Sequence, residues 1–193
     1  MIKQAVYLIL PLLLSACLAP QPQRLAGETV IDGDTTWSGE VRVEGRVIVT
    51  RTGSLTIEPG TKVSFVPFDE DGDGIGDGEI LVEGKISAVG TKDAPILFTS
   101  AAKEPKRSDW KYLYLDFARY GELAHVISEY AYSGVQVHFC KASIRDSVFR
   151  HNVDGVRFST VTLELEYNDI YDNTHGIRYE ERRGKAQVYH NDI

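Results

Sequence analysis

Three glycine-led segments recur at a fixed interval of 21 residues: Gly134-Val-Gln-Val-His-Phe, Gly155-Val-Arg-Phe-Ser and Gly176-Ile-Arg-Tyr-Glu. The same step links Asn152 to Asn173, Ala142 to Leu163, Ile144 to Leu165 and Phe149 to Ile170. The next step is 23 residues, from Leu163 to Ala186, Leu165 to Val188, Asn168 to Asn191 and Ile170 to Ile193. The two extra residues have room in the charged stretch Glu181-Arg-Arg-Gly-Lys185. An interval held across several columns at once means that like residues occupy like places in successive structural units.

Each unit contains short alternating runs. Val156 and Phe158 flank Arg157, and Leu163 and Leu165 flank Glu164. Period-two alternation specifies a strand with one buried face. No stretch beyond the N-terminal segment keeps helical periodicity for three turns. Strands in a 21–23-residue unit, with Gly or Asn between them, describe one coil of a parallel β-solenoid. Inward side chains such as Ile144, Leu165 and Val188 then stack in a column buried on every side. The glycine column marks corners that need positive φ or close approach. An antiparallel β-sandwich is the alternative, but it has no use for a constant offset.

The first half follows the same grammar less regularly. Val41–Val43, Val47–Val49, Leu55–Ile57, Val63–Phe65, Ile80–Val82, Lys85–Ile86 and Ile96–Phe98 read as strands, punctuated by Gly45, Gly53 and Pro59-Gly60. The stretches Gly53–Phe65 and Glu83–Ser100, the latter containing Gly90-Thr91 and Pro95-Ile-Leu-Phe-Thr-Ser100, resemble coils of bacterial right-handed β-helix lipoproteins and surface proteins. Trp110-Lys-Tyr-Leu-Tyr-Leu115 matches the Trp strand of that family, although Lys111 and Tyr112 replace its glycines. The resemblance spans about residues 36–193. It implies an all-β, right-handed parallel β-helix of roughly seven coils, a rod on the order of 35 Å long at strand spacing. Residues 25–37 are expected to cap its N-terminal end. Ile193 falls in mid-repeat, which leaves three readings: an open last coil, a cover from another chain, or a shortened frame.

At the N-terminus, Lys3 precedes an apolar run from Ala5 to Leu14, too short to span a bilayer. Leu14-Ser-Ala-Cys17 resembles the lipobox of bacterial lipoproteins. The resemblance implies a signal peptide over residues 1–16 and two or three acyl chains at Cys17, enough for stable anchoring. Residues 17–27, with Pro20 and Pro22, read as the lipidated cysteine and an extended tether. The folded domain is expected over 28–193. Leu18 is not the aspartate that retains some lipoproteins on the inner membrane, so the resemblance favours the outer membrane where there is one. The expected location is thus the cell envelope, facing periplasm or exterior.

The chain carries a formal charge of −7, and −8 once Lys3 is removed with the signal, which argues against nucleic acid or anionic lipid as partner. Beyond Cys17 the only cysteine is Cys140, so no disulfide can form within the mature chain, and its apolar neighbours make it a buried small hydrophobe.

Between two strand runs lies an acidic loop, residues 69–79. Asp69, Asp71, Asp73, Gly74 and Asp77 stand at positions 1, 3, 5, 6 and 9 of a Ca²⁺ loop. The carbonyl of Ile75 is the expected backbone ligand. Ile80 occupies position 12, where such loops want Glu, so Glu79 or water would close the shell. The segment resembles calcium loops of dockerin and thrombospondin type 3 repeats. Carboxylates this dense repel one another unless a cation binds, and the role expected of Ca²⁺ is structural.

Two surface features suggest a ligand. Arg157 and Arg178 lie one coil apart with Gln136 before them, a strip suited to an extended polymer. Tyr112 and Tyr114 share a face opposite Leu113 and Leu115, as sugar stacking requires. The five histidines lack metal-ligand spacing, and no nucleophile motif or phosphate loop is present. The reading is a non-enzymatic structural or ligand-binding module, whose partner is a glycan or another envelope protein. The alternative is a small polysaccharide lyase or hydrolase using Asp146, Asp154, Asp169 or Asp172 with Arg150 or Arg157, although Asp at corners also follows from turn chemistry.

Overall fold

The computed structural model describes residues 21–180 and 184–193. Cys17 and the signal segment 1–16 lie outside them, as do residues 181–183 of the charged stretch. Every strand pairing is parallel. One sheet holds seven strands: β2 (Asp34–Trp37), β4 (Ser54–Ile57), β7 (Lys85–Val89), β10 (Tyr120–Ala124), β13 (Lys141–Arg145), β16 (Thr162–Glu166) and β19 (Lys185–Tyr189), stacked in chain order. The other has twelve. It begins with two long strands, β1 (Gln23–Ile31) and β3 (Glu40–Val49), paired along their length. Beyond β3 it divides. One branch runs through β5 (Lys62–Phe65), β8 (Ile96–Ser100), β11 (Val126–Glu129), β14 (Val148–Arg150) and β17 (Asp169–Tyr171). The second branch runs through β6 (Glu79–Val82), β9 (Trp110–Asp116), β12 (Ala131–His138), β15 (Asp154–Ser159) and β18 (His175–Glu180). Seven coils of a parallel β-helix result, the all-β solenoid expected from the repeats. Among the described residues there is no helix, and so none long and apolar enough to cross a membrane.

Alternation builds the core directly. In β3 every second residue is buried, including Val41, Val43, Val47 and Val49. One inward column crosses all seven coils: Trp37, Ile57, Ala88, Leu123, Ile144, Leu165 and Val188. Burying each large member contributes about 1.5–3 kcal/mol. The column differs from expectation at its end, because Val188, in the last strand of the described stack, is 41% exposed. There the interior opens into a cavity of about 390 Å³ lined by Phe158, Val161, Ile177, Tyr179 and Val188 among others.

The structure refines three details. Among the described residues strand structure starts at Gln23, inside the stretch read as tether, because Gln23–Ile31 finds a full ladder against Val41–Val49. Residues 25–37 accordingly continue the two sheets as a first coil laid over β3 and β4, with Trp37 buried at its end. The glycine column lies within strands, and none of Gly134, Gly155 and Gly176 has positive φ. Close approach explains it: a Cβ on Gly155 would stand 2.6 Å from the Gly176 carbonyl oxygen and 2.9 Å from Asn173 Nδ2.

The corners are turned by other residues in the left-handed region, which costs about 1–2 kcal/mol each. They align in columns: His125, Asp146, Tyr167 and His190; Tyr130, His151 and Asp172; Phe117, Phe139 and Thr160. Rings stack within them, Tyr130 on His151, Tyr167 on His190 and Phe117 on Phe139 at 4.6–5.5 Å. Asparagine ladders follow two of the corners. Asn152 Oδ1 accepts from Ala131 N–H and its Nδ2 donates to the Ser128 carbonyl, while Asn173 Oδ1 accepts from Asn152 N–H. Asn168 and Asn191 repeat the device at Ser147, Ile144 and Leu165. These bonds satisfy turn amides and carbonyls that the ladders leave over.

Candidate functional site

Two places gather polar side chains. The first is the acidic loop, which joins β5 to β6 where the long sheet divides. Its winding is set by its own carboxylates. Asp69 accepts from the amides of Gly72 and Gly74, both glycines having positive φ. Asp71 accepts from Asp73 N–H and Asp73 from Ile75 N–H. Asp77 is drawn inward, 3% exposed, and accepts from Glu70 N–H at 2.8 Å. It also lies 3.4 Å from Arg46 and 3.6 Å from Lys111. The Glu70 amide, then Lys111 and Arg46, hold its carboxyl below the usual range against the opposing effect of burial.

The loop thus brings together Asp69, Asp71 and Asp77, whose ligand oxygens lie within 4.8 Å of one another. This mostly exposed triad could hold a metal. Asp73 is not among the three, and its Oδ1 accepts from Ile75 N–H. Glu79 is outside it too. As the first residue of β6 it faces Arg46 at 4.0 Å, and burial pushes its carboxyl up. The premise that repulsion demands a cation is weakened, since Arg46 and Lys111 already offset charge at Asp77.

The second place is the outer face of the second branch. Register sets its side chains in rows across successive coils, about 4.8 Å apart. One row reads Arg46, Glu79, Tyr112, Ser133, Asp154, His175. The next reads Ile48, Leu81, Tyr114, Gln136, Arg157, Arg178. A third holds Asp116, His138, Ser159 and Glu180. Between Ser133 and Gln136 the register slips by one residue against β9, a bulge that turns Gly134 and Val135 both inward and keeps Ser133 and Gln136 as successive outward positions. The expected strip Gln136–Arg157–Arg178 is therefore present, and Tyr114 leads into it.

The tyrosines share this face as expected, but they are half-buried and meet edge to face at 5.1 Å, so they form no flat platform. Burial first, then Glu79, pushes the Tyr112 phenol up to about 12, and Tyr114 is raised further by burial and Asp116. The Tyr114 hydroxyl lies 3.1 Å from His138 Nδ1. Burial and Arg157 lower the His138 pKa, which favours its neutral form.

The centre of the face is a group that spacing alone did not single out. Asp154 is fully buried. The exposed imidazole of His175 donates from Nδ1 to Asp154 Oδ1 at 2.8 Å, leaving Nε2 free to face solution. Arg178 and Arg157 stand 3.6 and 4.0 Å from Oδ2, too far for hydrogen bonds. The 21-residue step from Asp154 to His175 was the available signal. Of the other carboxylates considered for an enzyme, Asp146 and Asp172 turn corners and Asp169 opens β17, away from this face. Arg150 is engaged by Glu129 at 2.8 Å.

No match was found among curated proteins or among solved structures. Residues 28–116, somewhat less than half of the chain, match the protein-family model described as a pectate-lyase like beta helix domain, and in that stretch the chain is similar to this family.

Proposed function

We propose that the chain is a non-enzymatic lipoprotein of the cell envelope, anchored through acyl chains on Cys17, that presents the outer face of its second branch to an extended ligand. The observation that carries the binding role is the row Tyr114–Gln136–Arg157–Arg178, continuous over four adjacent strands. The anchor rests on Leu14-Ser-Ala-Cys17. A β-helix by itself specifies shape and not activity. Growth with labelled palmitate tests the anchor. Label should enter the wild-type chain and not Cys17→Ser, and the variant should leave the membrane fraction; label retained in the variant would refute the assignment.

In this reading Ca²⁺ orders the acidic loop through Asp69, Asp71 and Asp77. Calorimetry with Ca²⁺ should give binding heat that Asp69→Asn with Asp71→Asn abolishes. Absence of heat in the wild-type chain removes the metal from the account.

A second reading, a small polysaccharide lyase or hydrolase, is favoured by one observation. A buried carboxylate that fixes an exposed imidazole beside two guanidiniums is suited to proton transfer. Depolymerisation of uronates or neutral glycans that disappears in both Asp154→Asn and His175→Ala would establish it in place of the non-enzymatic role.

A further inference from the structure

Where the outer face of the second branch reaches the corner after β12, rings and guanidiniums line one cavity of about 190 Å³: Phe139, Phe158 and Tyr179 with Arg157 and Arg178. That is about the volume of six waters, room for a single ring and a short substituent. Register builds it. Arg157 pairs with Arg178 across β15 and β18, and Phe158 pairs with Tyr179 one position on. The Phe158 and Tyr179 rings stack at 5.6 Å. Phe139 is 47% exposed and stacks on Phe117 at 4.6 Å on one side. On its other side the corner column continues with Thr160, which carries no ring, so the aromatic stack ends at Phe139.

The arginine side chains are 26% and 45% exposed, so their N–H groups are within reach of a ligand. Among the described residues both pair with one carboxylate, that of Asp154, at 4.0 and 3.6 Å. Two guanidiniums on one carboxylate leave one positive charge over. Asp154 is itself fully buried, so a ligand meets the guanidiniums and not the carboxylate behind them. Planar guanidinium forks match a carboxylate, which accepts from them in pairs. Glu180, on the same rim, repels a ligand with more than one negative charge. A neutral sugar leaves the excess charge unanswered, and an acyclic carboxylate leaves the rings unused. A single aromatic ring bearing one carboxylate uses both, because aromatic side chains and guanidiniums each pack on its face.

We propose that this cavity binds a monoanionic aryl carboxylate, with the carboxylate on Arg157 and Arg178 and the ring against Phe139. The site goes beyond the extended-ligand reading and does not depend on it. The test is calorimetric titration of the full chain with benzoate. Benzamide, which keeps the ring and loses the charge, and galacturonate, which keeps the charge on a non-aromatic ring, are the comparators. Benzoate should bind about tenfold or more tightly than benzamide, as losing a hydrogen bond to a charged group predicts. Its affinity should fall about tenfold or more in Arg178→Gln and about threefold or more in Phe139→Ala, the loss expected of an aromatic contact. Both side chains are about half exposed, so the variants keep the fold. The comparators are read on the wild-type chain, so they decide even where a variant does not fold. Absence of heat from benzoate overturns the site. Benzamide binding as tightly overturns the role of the arginines, and galacturonate binding as tightly overturns the aromatic class. Benzoate binding untouched by both variants places the ligand elsewhere and overturns the assignment too.

Discussion

Asn152 shows how one side chain holds three coils in register. It is fully buried and bonds backbone groups of the preceding coil while its own amide is held by Asn173. Replacing it by Ala strands an N–H and a carbonyl, and we expect a loss of about 2–4 kcal/mol in urea unfolding. Asn173→Ala, nearer the open end, should cost visibly less; equal losses would contradict the ladder argument. Cys140 offers a separate check. Burial pushes its thiol up to about 11. In a Cys17→Ser background, alkylation at pH 8 should run about a hundredfold slower in the folded than in the unfolded chain. The folded state holds this proton more tightly, so the thiol's contribution to stability is intact below the unfolded pKa and declines as pH rises from there towards 11. Cys140 is half-buried, short of the full burial expected from its apolar neighbours, and rapid alkylation at pH 8 without unfolding would refute even that shielding.

At the scale of the element, the loop between β8 and β9 is strapped to the later coils by Arg107. Arg107 donates to the carbonyls of Asn152 and Asp172 at 3.1 and 2.7 Å, spanning two coils. Arg107→Ala should raise amide exchange and proteolytic cutting within residues 101–109 while leaving β12 and β15 protected; unchanged exchange would show the strap to be idle. Strands such as these were legible in the sequence because stacking places Ile144 on Leu165 and Leu165 on Val188, and a spacing of 21 or 23 records that contact. The bulge in β12 was not legible, because a glycine followed by a valine reads the same whether one or both turn inward. The pairing of His175 with Asp154 was hidden for a related reason. Each residue alone looks like an ordinary polar position, and only the register across β15 and β18 makes them partners. In the acidic loop the spacing located three of the carboxylates that converge. Asp73 and Glu79, which the template also selects, stand apart from these three, and the template does not foresee Arg46 and Lys111 beside Asp77.

For the whole molecule, stability is a sum over neighbouring coils. Inner coils are covered on both sides, whereas β19 is exposed along its length and Tyr179 and Ile193 are 61% and 72% exposed. Amide exchange should be slowest in β9, β12 and β13 and fastest in β18 and β19, and Leu165→Asp should destabilise far more than Val188→Asp. Uniform exchange along the chain would mean the coils unfold as one body.

The division of the long sheet after β3 has a practical corollary. The chain passes straight through Glu44-Gly45 in the second coil, detours through residues 66–78 between β5 and β6, detours again through 101–109, and then closes to a tight corner at Tyr130, His151 and Asp172. Both detours leave from one corner, and they touch where Gly76 N–H meets the Ser108 carbonyl at 2.7 Å. Neither contributes a strand to the ladders. Foreign epitopes spliced at the exposed tip, between Asp71 and Gly72, would be displayed without perturbing the stack beneath.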